Sequence, residues 1–252
     1  MSRETCYRCF WPKTLCWCSS ITPISTRTKF VFLMHPKEFK QEKAGTGRLT
    51  HLCLEGSEIH MGVGFDRHEA VQDLLRNPQY FPMLLYPGEE AHNLSHGTAT
   101  LPDFEGRQLL IVLLDSTWSG ARKMLRLSPS LQRLPRVMFT PSTPSRYVIK
   151  QQPQKGCLST LEATHEILIA LERAGLDRYS LPEQLHGLFD RMQDFQLRCA
   201  RDPALGGYRR RAYSEPGERA PPQGRSGERR TRFLKQPTAS GPNDPSLQPG
   251  KP

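Results

Sequence analysis

Several signatures that would fix a chemistry at once are missing from this chain. No run of about 18 apolar residues occurs, so no membrane-crossing helix is expected. The start, Met1, Ser2, Arg3 and Glu4 followed by cysteines, has no apolar core of the kind a secretory signal needs. A soluble protein of the cytoplasm is therefore expected, with no membrane partner. The eight histidines show neither H-x-E nor H-E-x-x-H spacing, and no G-x-S-x-G turn is present, which argues against hydrolytic metal and serine-esterase chemistry. The dinucleotide fingerprint, the Walker loop and internal repeats are absent as well. Acidic residues are in short supply: 25 of them against 35 Lys and Arg leave a formal charge of +10, which points to an anionic partner such as nucleic acid.

The excess charge is unevenly spread. Residues 205–252 hold ten Lys or Arg against four acids, a net of +6, and so leave only +4 for the 204 residues before them. This last stretch is rich in Pro, Gly, Arg and Ser, a composition that buries too little apolar surface to offset its ordering entropy. It reads as a disordered basic tail. Ahead of it, two parts of different character follow one another: a cysteine-rich head over residues 1–25, and a mixed segment over 26–204 that is long enough for one sizeable core.

Within the mixed segment, residues 30–34 and 109–114 are near-continuous apolar runs, as in strands covered on both faces. Weaker strands are expected at 58–64, 83–86 and 137–139, with helices at 47–54, 68–76, 119–127, 160–174 and 182–198. Strands alternating with helices predict an α/β sheet. In the last two helices, Leu161, Leu168 and Leu171, then Leu185, Leu188, Phe189, Met192 and Phe195, make apolar stripes that read as core.

Of the seven cysteines, Cys6, Cys9, Cys16 and Cys18 form C-x-x-C, six residues, then C-x-C. Four thiolates on two short loops enclose a tetrahedral zinc ion with no open position, so a structural role is expected. Trp11 and Trp17, beside the ligands, suit either stacking on RNA or docking of the knuckle onto the main domain.

The strongest catalytic signal stands at the end of the most apolar strand, where Asp115, Ser116, Thr117 and Trp118 follow Leu113 and Leu114. Ligands bind outside the carboxyl ends of strands in open α/β sheets. Such hydroxyls and acids also cap helices, and that alternative stays open here. Arg122, Lys123 and Arg126 follow at spacings suited to phosphate contacts. Gly45, Thr46, Gly47 and Arg48 form a small-residue loop entering a helix, where backbone N–H groups and a cation could hold a carboxylate or phosphate. Leu158, Ser159, Thr160 and Glu162 contain S-x-x-E opening a helix, a capping box first and a ligand loop second.

As an ensemble these motifs resemble the DTW-domain family: C-x-R-C, Pro12 and C-x-C, then Gly-Thr-Gly-Arg at 45–48, Tyr86-Pro87, Asp-x-Thr-Trp at 115–118 with Ala121, Arg122, Lys123 and Met124, and Ser-Thr-Leu-Glu-Ala at 159–163. The resemblance covers residues 5 to 200. It implies a knotted SPOUT-like α/β fold with helices on both faces of the sheet, and transfer of the 3-amino-3-carboxypropyl group of S-adenosylmethionine to N3 of a tRNA uridine. It further implies that 5′-methylthioadenosine leaves, that Asp115 accepts or orients the N3 proton, and that Ser116, Thr117 and Trp118 shape the nucleoside pocket. The loops at Tyr86, Pro87 and Gly88 and at Leu158, Ser159 and Thr160 would contact the donor. A SPOUT-like tRNA methyltransferase and a non-catalytic zinc-containing RNA-binding protein are the rival readings. Nothing in the sequence sets the oligomeric state.

Overall fold

In β5 (Gln108–Asp115) every side chain from Leu109 to Leu113 is buried, on both faces, so it can only be a central strand. Successive side chains then divide between two cores. Leu109, Ile111 and Leu113 join Phe30, Phe32 and Met83 in one cluster, while Leu110 and Val112 join Val31, Leu33 and Leu84 in another. In this computed structural model, which describes residues 4–11, 13, 16–41, 45–95, 101–104, 106–150 and 156–201, a six-stranded parallel sheet separates the two. Its order is β2 (Glu58–Met61), β1 (Lys29–Met34), β5, β3 (Tyr80–Leu85), β6 (Arg136–Met138) and β4 (His92–Asn93). The expected basic tail of residues 205–252 lies outside the described residues.

Helices cover both faces. On one face lie α2 (Thr46–Cys53), α6 (Thr160–Arg173) and α7 (Pro182–Arg201). On the other, α3 (Glu69–Arg76), α4 (Trp118–Arg126) and the short α5 (Pro129–Gln132) contribute Val71, Met124, Leu125 and Leu131. A further short helix, α1 (Pro36–Gln41), follows β1. The expected elements are all present, within a few residues of their ends, with one notable difference: β3 begins at Tyr80 and runs through Pro82. Pro82 fits because β3 pairs in parallel with β5, and only alternate residues of a parallel strand point their N–H at a given neighbour. The elements with no counterpart in the sequence reading, α1, α5 and β4, span six, four and two residues, too short for periodicity to show.

Two features of this topology position the site. The strand β5 lies between β1 and β3, and the register pairs Met34 with Asp115, so the carboxyl ends of β1 and β5 finish level. The loop from β6 to α6 is fastened over that edge. Glu162 accepts from Ser145 Oγ at 2.9 Å and from Arg146 N at 2.6 Å, while Gln193 of α7 accepts from Val148 N at 2.6 Å and donates to Arg146 O at 3.0 Å.

Candidate active site

Asp115 ends the central strand 6 % exposed. Burial raises its carboxyl above the ordinary range, opposed by the hydrogen bond from Thr160 and by the positive charges of Lys150 and Arg48. Thr160 Oγ1 donates to Asp115 Oδ1 at 2.5 Å. Thr160 is the first residue of α6, and the N-cap before it, Ser159, is held by a reciprocal capping box with Glu162. The sequence alternatives for this loop thus divide by residue. Ser159 and Glu162 are buried and spend their polar atoms on the cap and on the β6–α6 loop, while Thr160 reaches the carboxylate; Leu158 is half-buried beside them.

The Gly45–Arg48 loop closes the other side. Gly45 is the N-cap of α2, and a Cβ on Gly47 would collide with the Asp115 carboxylate, so the helix backbone lies directly against that acid. Thr46 is buried. The half-buried Arg48 guanidinium packs against two rings that meet edge to face, 4.3 Å from the Phe10 centroid and 4.6 Å from that of Phe39. Its Nη2 donates to the Phe39 carbonyl at 2.5 Å, and its buried Nε has no hydrogen-bond partner. Desolvation lowers the Arg48 pKa, and the nearby negative charge of Asp115 works against that fall. An unpartnered donor beside a buried acid suits the carboxylate of a ligand.

After Asp115 the chain turns into α4. Thr117 is its N-cap and accepts from Gly120 N at 3.2 Å, so the capping alternative holds for this residue. Ser116 and Trp118 are half-buried at the mouth. Close contact of Ser116 Oγ with the α4 backbone leaves no room for a Cβ at position 120. Tyr86 is half-buried after β3, with Pro87 and Gly88 exposed behind it; Arg122 is half-buried on α4 and Lys123 exposed. Tyr86 is pushed up by burial, with Arg122 and Arg136 pulling the other way. Four contributors escaped the sequence reading. His35 follows β1 at the same edge, donates its backbone N–H to Asp115 O at 3.0 Å and is lowered by burial and by Lys37 and Lys123. Its only signal was its place directly after an apolar strand. Phe10, Phe39 and Lys150 carried none.

The cysteines form a separate centre. Cys6 and Cys18 sulfurs are 3.9 Å apart, Cys9 and Cys16 sulfurs 3.8 Å, and all four lie within 4.8 Å of one another. A tetrahedron with metal–sulfur bonds of about 2.3 Å has edges of about 3.8 Å, so the donor set fits one metal ion. Without a metal ion, backbone N–H groups of Cys9 and Arg8 bring the Cys6 thiol down to about 6, while burial pushes the Cys9 and Cys18 thiols up. Trp11 and Trp17 are buried, their rings 5.0 Å apart, and Trp11 meets Phe195 of α7 at 5.5 Å. Docking, not RNA stacking, is the work of both tryptophans.

The model of the DTW domain matches residues 3–197. The chain belongs to the DTW domain family. Among curated relatives, a Drosophila melanogaster protein named tRNA-uridine aminocarboxypropyltransferase 2 is 33% identical over 193 residues, covering 74% of each chain. A Mus musculus protein of the same name is 30% identical over 210 residues, 81% of this chain and 69% of its own. An Arabidopsis thaliana tRNA-uridine aminocarboxypropyltransferase A is 24% identical over 200 residues, 69% of this chain and 74% of its own. No solved structure matches. Among the described residues, no helix of this DTW chain is long and apolar enough to cross a membrane.

Proposed function

We propose that this DTW protein transfers the 3-amino-3-carboxypropyl group of S-adenosylmethionine to N3 of a uridine in tRNA. The observation that carries the reading is a buried acid, Asp115, held by Thr160 at the carboxyl edge of a parallel sheet, in a chain whose relatives bear the name of that reaction. Asp115 takes the N3 proton. The N3 electron pair then forms a bond to the γ-carbon of the donor's methionine moiety, the Cγ–S bond breaks, and its electrons neutralise the sulfonium as 5′-methylthioadenosine leaves. Because the donor already carries the activating charge, the protein supplies orientation and a base. Burial gives that base its strength, since a carboxylate at its ordinary pKa near 4 would hold the proton poorly.

The backbone at the start of α2 and the free Nε of Arg48 suit the donor's carboxylate, while Tyr86, Pro87, Gly88, Leu158 and Ser159 line its approach. Ser116 and Trp118 flank the uridine. The ion that fits the four cysteines is zinc in a structural role. In this reading residues 1–25 are the knuckle, 26–204 the catalytic domain and 205–252 an RNA-attracting tail. The all-parallel sheet with helices on both faces supports a SPOUT-like fold, for which the family resemblance implies a knotted chain path. We place the enzyme in the cytoplasm, where thiols stay reduced.

The test is mass spectrometry of nucleosides from unmodified tRNA incubated with the protein and S-adenosylmethionine. The expected product is 3-(3-amino-3-carboxypropyl)uridine. A methylated nucleoside, or no modified nucleoside, overturns the assignment.

A further inference from the structure

A shallow cleft of about 300 Å³ opens among the end of β3, α4, α5 and β6, lined by Tyr86, Arg122, Leu125, Arg126, Gln132 and Arg136. Three guanidinium groups from two elements converge on this one cleft. Arg122 and Arg126 are four residues apart on α4, a like-charge spacing that disfavours the helix. Arg136 comes from β6. No ion pair among the described residues neutralises Arg126 or Arg136.

The side chains are also held in place. Arg136 lies over the Tyr86 ring at 5.6 Å and against Gly88, where a Cβ would come within 2.9 Å of its Nη1. Gln132 Nε2 donates to the carbonyls of Leu125 at 2.9 Å and Arg126 at 3.2 Å, which fixes the end of α4 that carries Arg126. Arg126 and Arg136, held and with no acid in the cleft lining, make a site for an anion.

Resting on the transferase reading above, we infer that this cleft binds a backbone phosphate of the tRNA next to the uridine being modified. Its other candidate anion, the donor's carboxylate, fits poorly. S-adenosylmethionine also carries an ammonium and a sulfonium, so it is a net cation and three guanidinium groups repel it. A polyanionic strand gains from all three. Arg122 and Arg126 stand on α4, the helix that the turn after Asp115 opens, so a phosphate seated there adjoins the base that enters the site.

The test measures binding without turnover. Affinity of the full-length protein for an unmodified tRNA transcript is followed against salt for Arg126→Gln, Arg136→Gln and the double variant, with S-adenosylmethionine binding measured by calorimetry. Arg133→Gln, exposed and outside the cleft, controls for bulk charge. The inference predicts that the double variant flattens the slope of log K against log salt by roughly 0.7 to 0.9, the counterion release of one phosphate contact. Donor affinity stays within two-fold, Arg136→Lys restores part of the loss, and the control loses less. An unchanged slope, or a loss equal to that of the control, overturns it in favour of a solvated surface. Lost donor affinity with intact tRNA binding overturns it in favour of a donor site. Arg126 is exposed on the last turn of α4, so its replacement leaves the fold intact and the measurement decisive. A failed transferase reading would appear in the products of the wild-type protein, independently of these slopes.

Discussion

At Asp115 the demands of folding and chemistry oppose each other. Its pKa is raised in the folded state, so its contribution to stability is present below the ordinary carboxylate pKa and lost as pH rises through the folded value; at neutral pH its charge is a cost. Asp115→Asn is therefore expected to melt no lower than wild type at neutral pH while transfer falls by about 10²-fold or more, with donor binding retained. A rate near wild type would remove Asp115 from the mechanism. The base must be ionised, so transfer should fall as pH drops through its raised pKa. Thr160→Val removes the hydrogen bond that lowers that pKa, and the acid limb of the pH–rate profile should move to higher pH. An unmoved limb would assign the limb to another group. Gly47→Ala has the opposite sign from ordinary helix propensity. Alanine should help a helix by about 1 kcal/mol, yet its methyl would meet the Asp115 carboxylate, so melting temperature and rate are both expected to fall.

Two of the contacts by which the knuckle meets the sheet domain have different consequences. Trp11 is buried between Trp17 and Phe195, so Cys9→Ser should lose the metal and expose apolar surface together, read as metal content and melting temperature. Phe10, in the left-handed region at φ 60, instead covers the Arg48 guanidinium. Phe10→Ala should keep the metal and weaken donor binding by roughly five-fold, the scale of one cation–π contact of about 1 kcal/mol. Unchanged donor affinity would separate Arg48 from the donor. These contacts also mark where the sequence stops being legible. The β5 run, the cysteine spacing, the S-x-x-E cap and the Asp115 turn are local patterns that a single stretch of chain displays. Phe10 on Arg48, Lys150 near Asp115 and Arg136 on Tyr86 join residues far apart in sequence, and only the strand order brings them together.

For the molecule as a whole, the charge balance separates attraction from chemistry. The last 48 residues carry +6 of the total +10, so deleting residues 205–252 should weaken tRNA binding and flatten its salt dependence while turnover at saturating tRNA persists. Loss of saturating turnover would make the tail part of the catalytic unit. The central claim concerns which carbon of the donor is attacked. Its most direct measurement uses S-adenosylmethionine labelled with one isotope in the carboxypropyl portion and another in the methyl group, incubated with unmodified tRNA. The account predicts carboxypropyl label in tRNA and methyl label in an equal amount of released 5′-methylthioadenosine. Methyl label in tRNA with release of S-adenosylhomocysteine would contradict it.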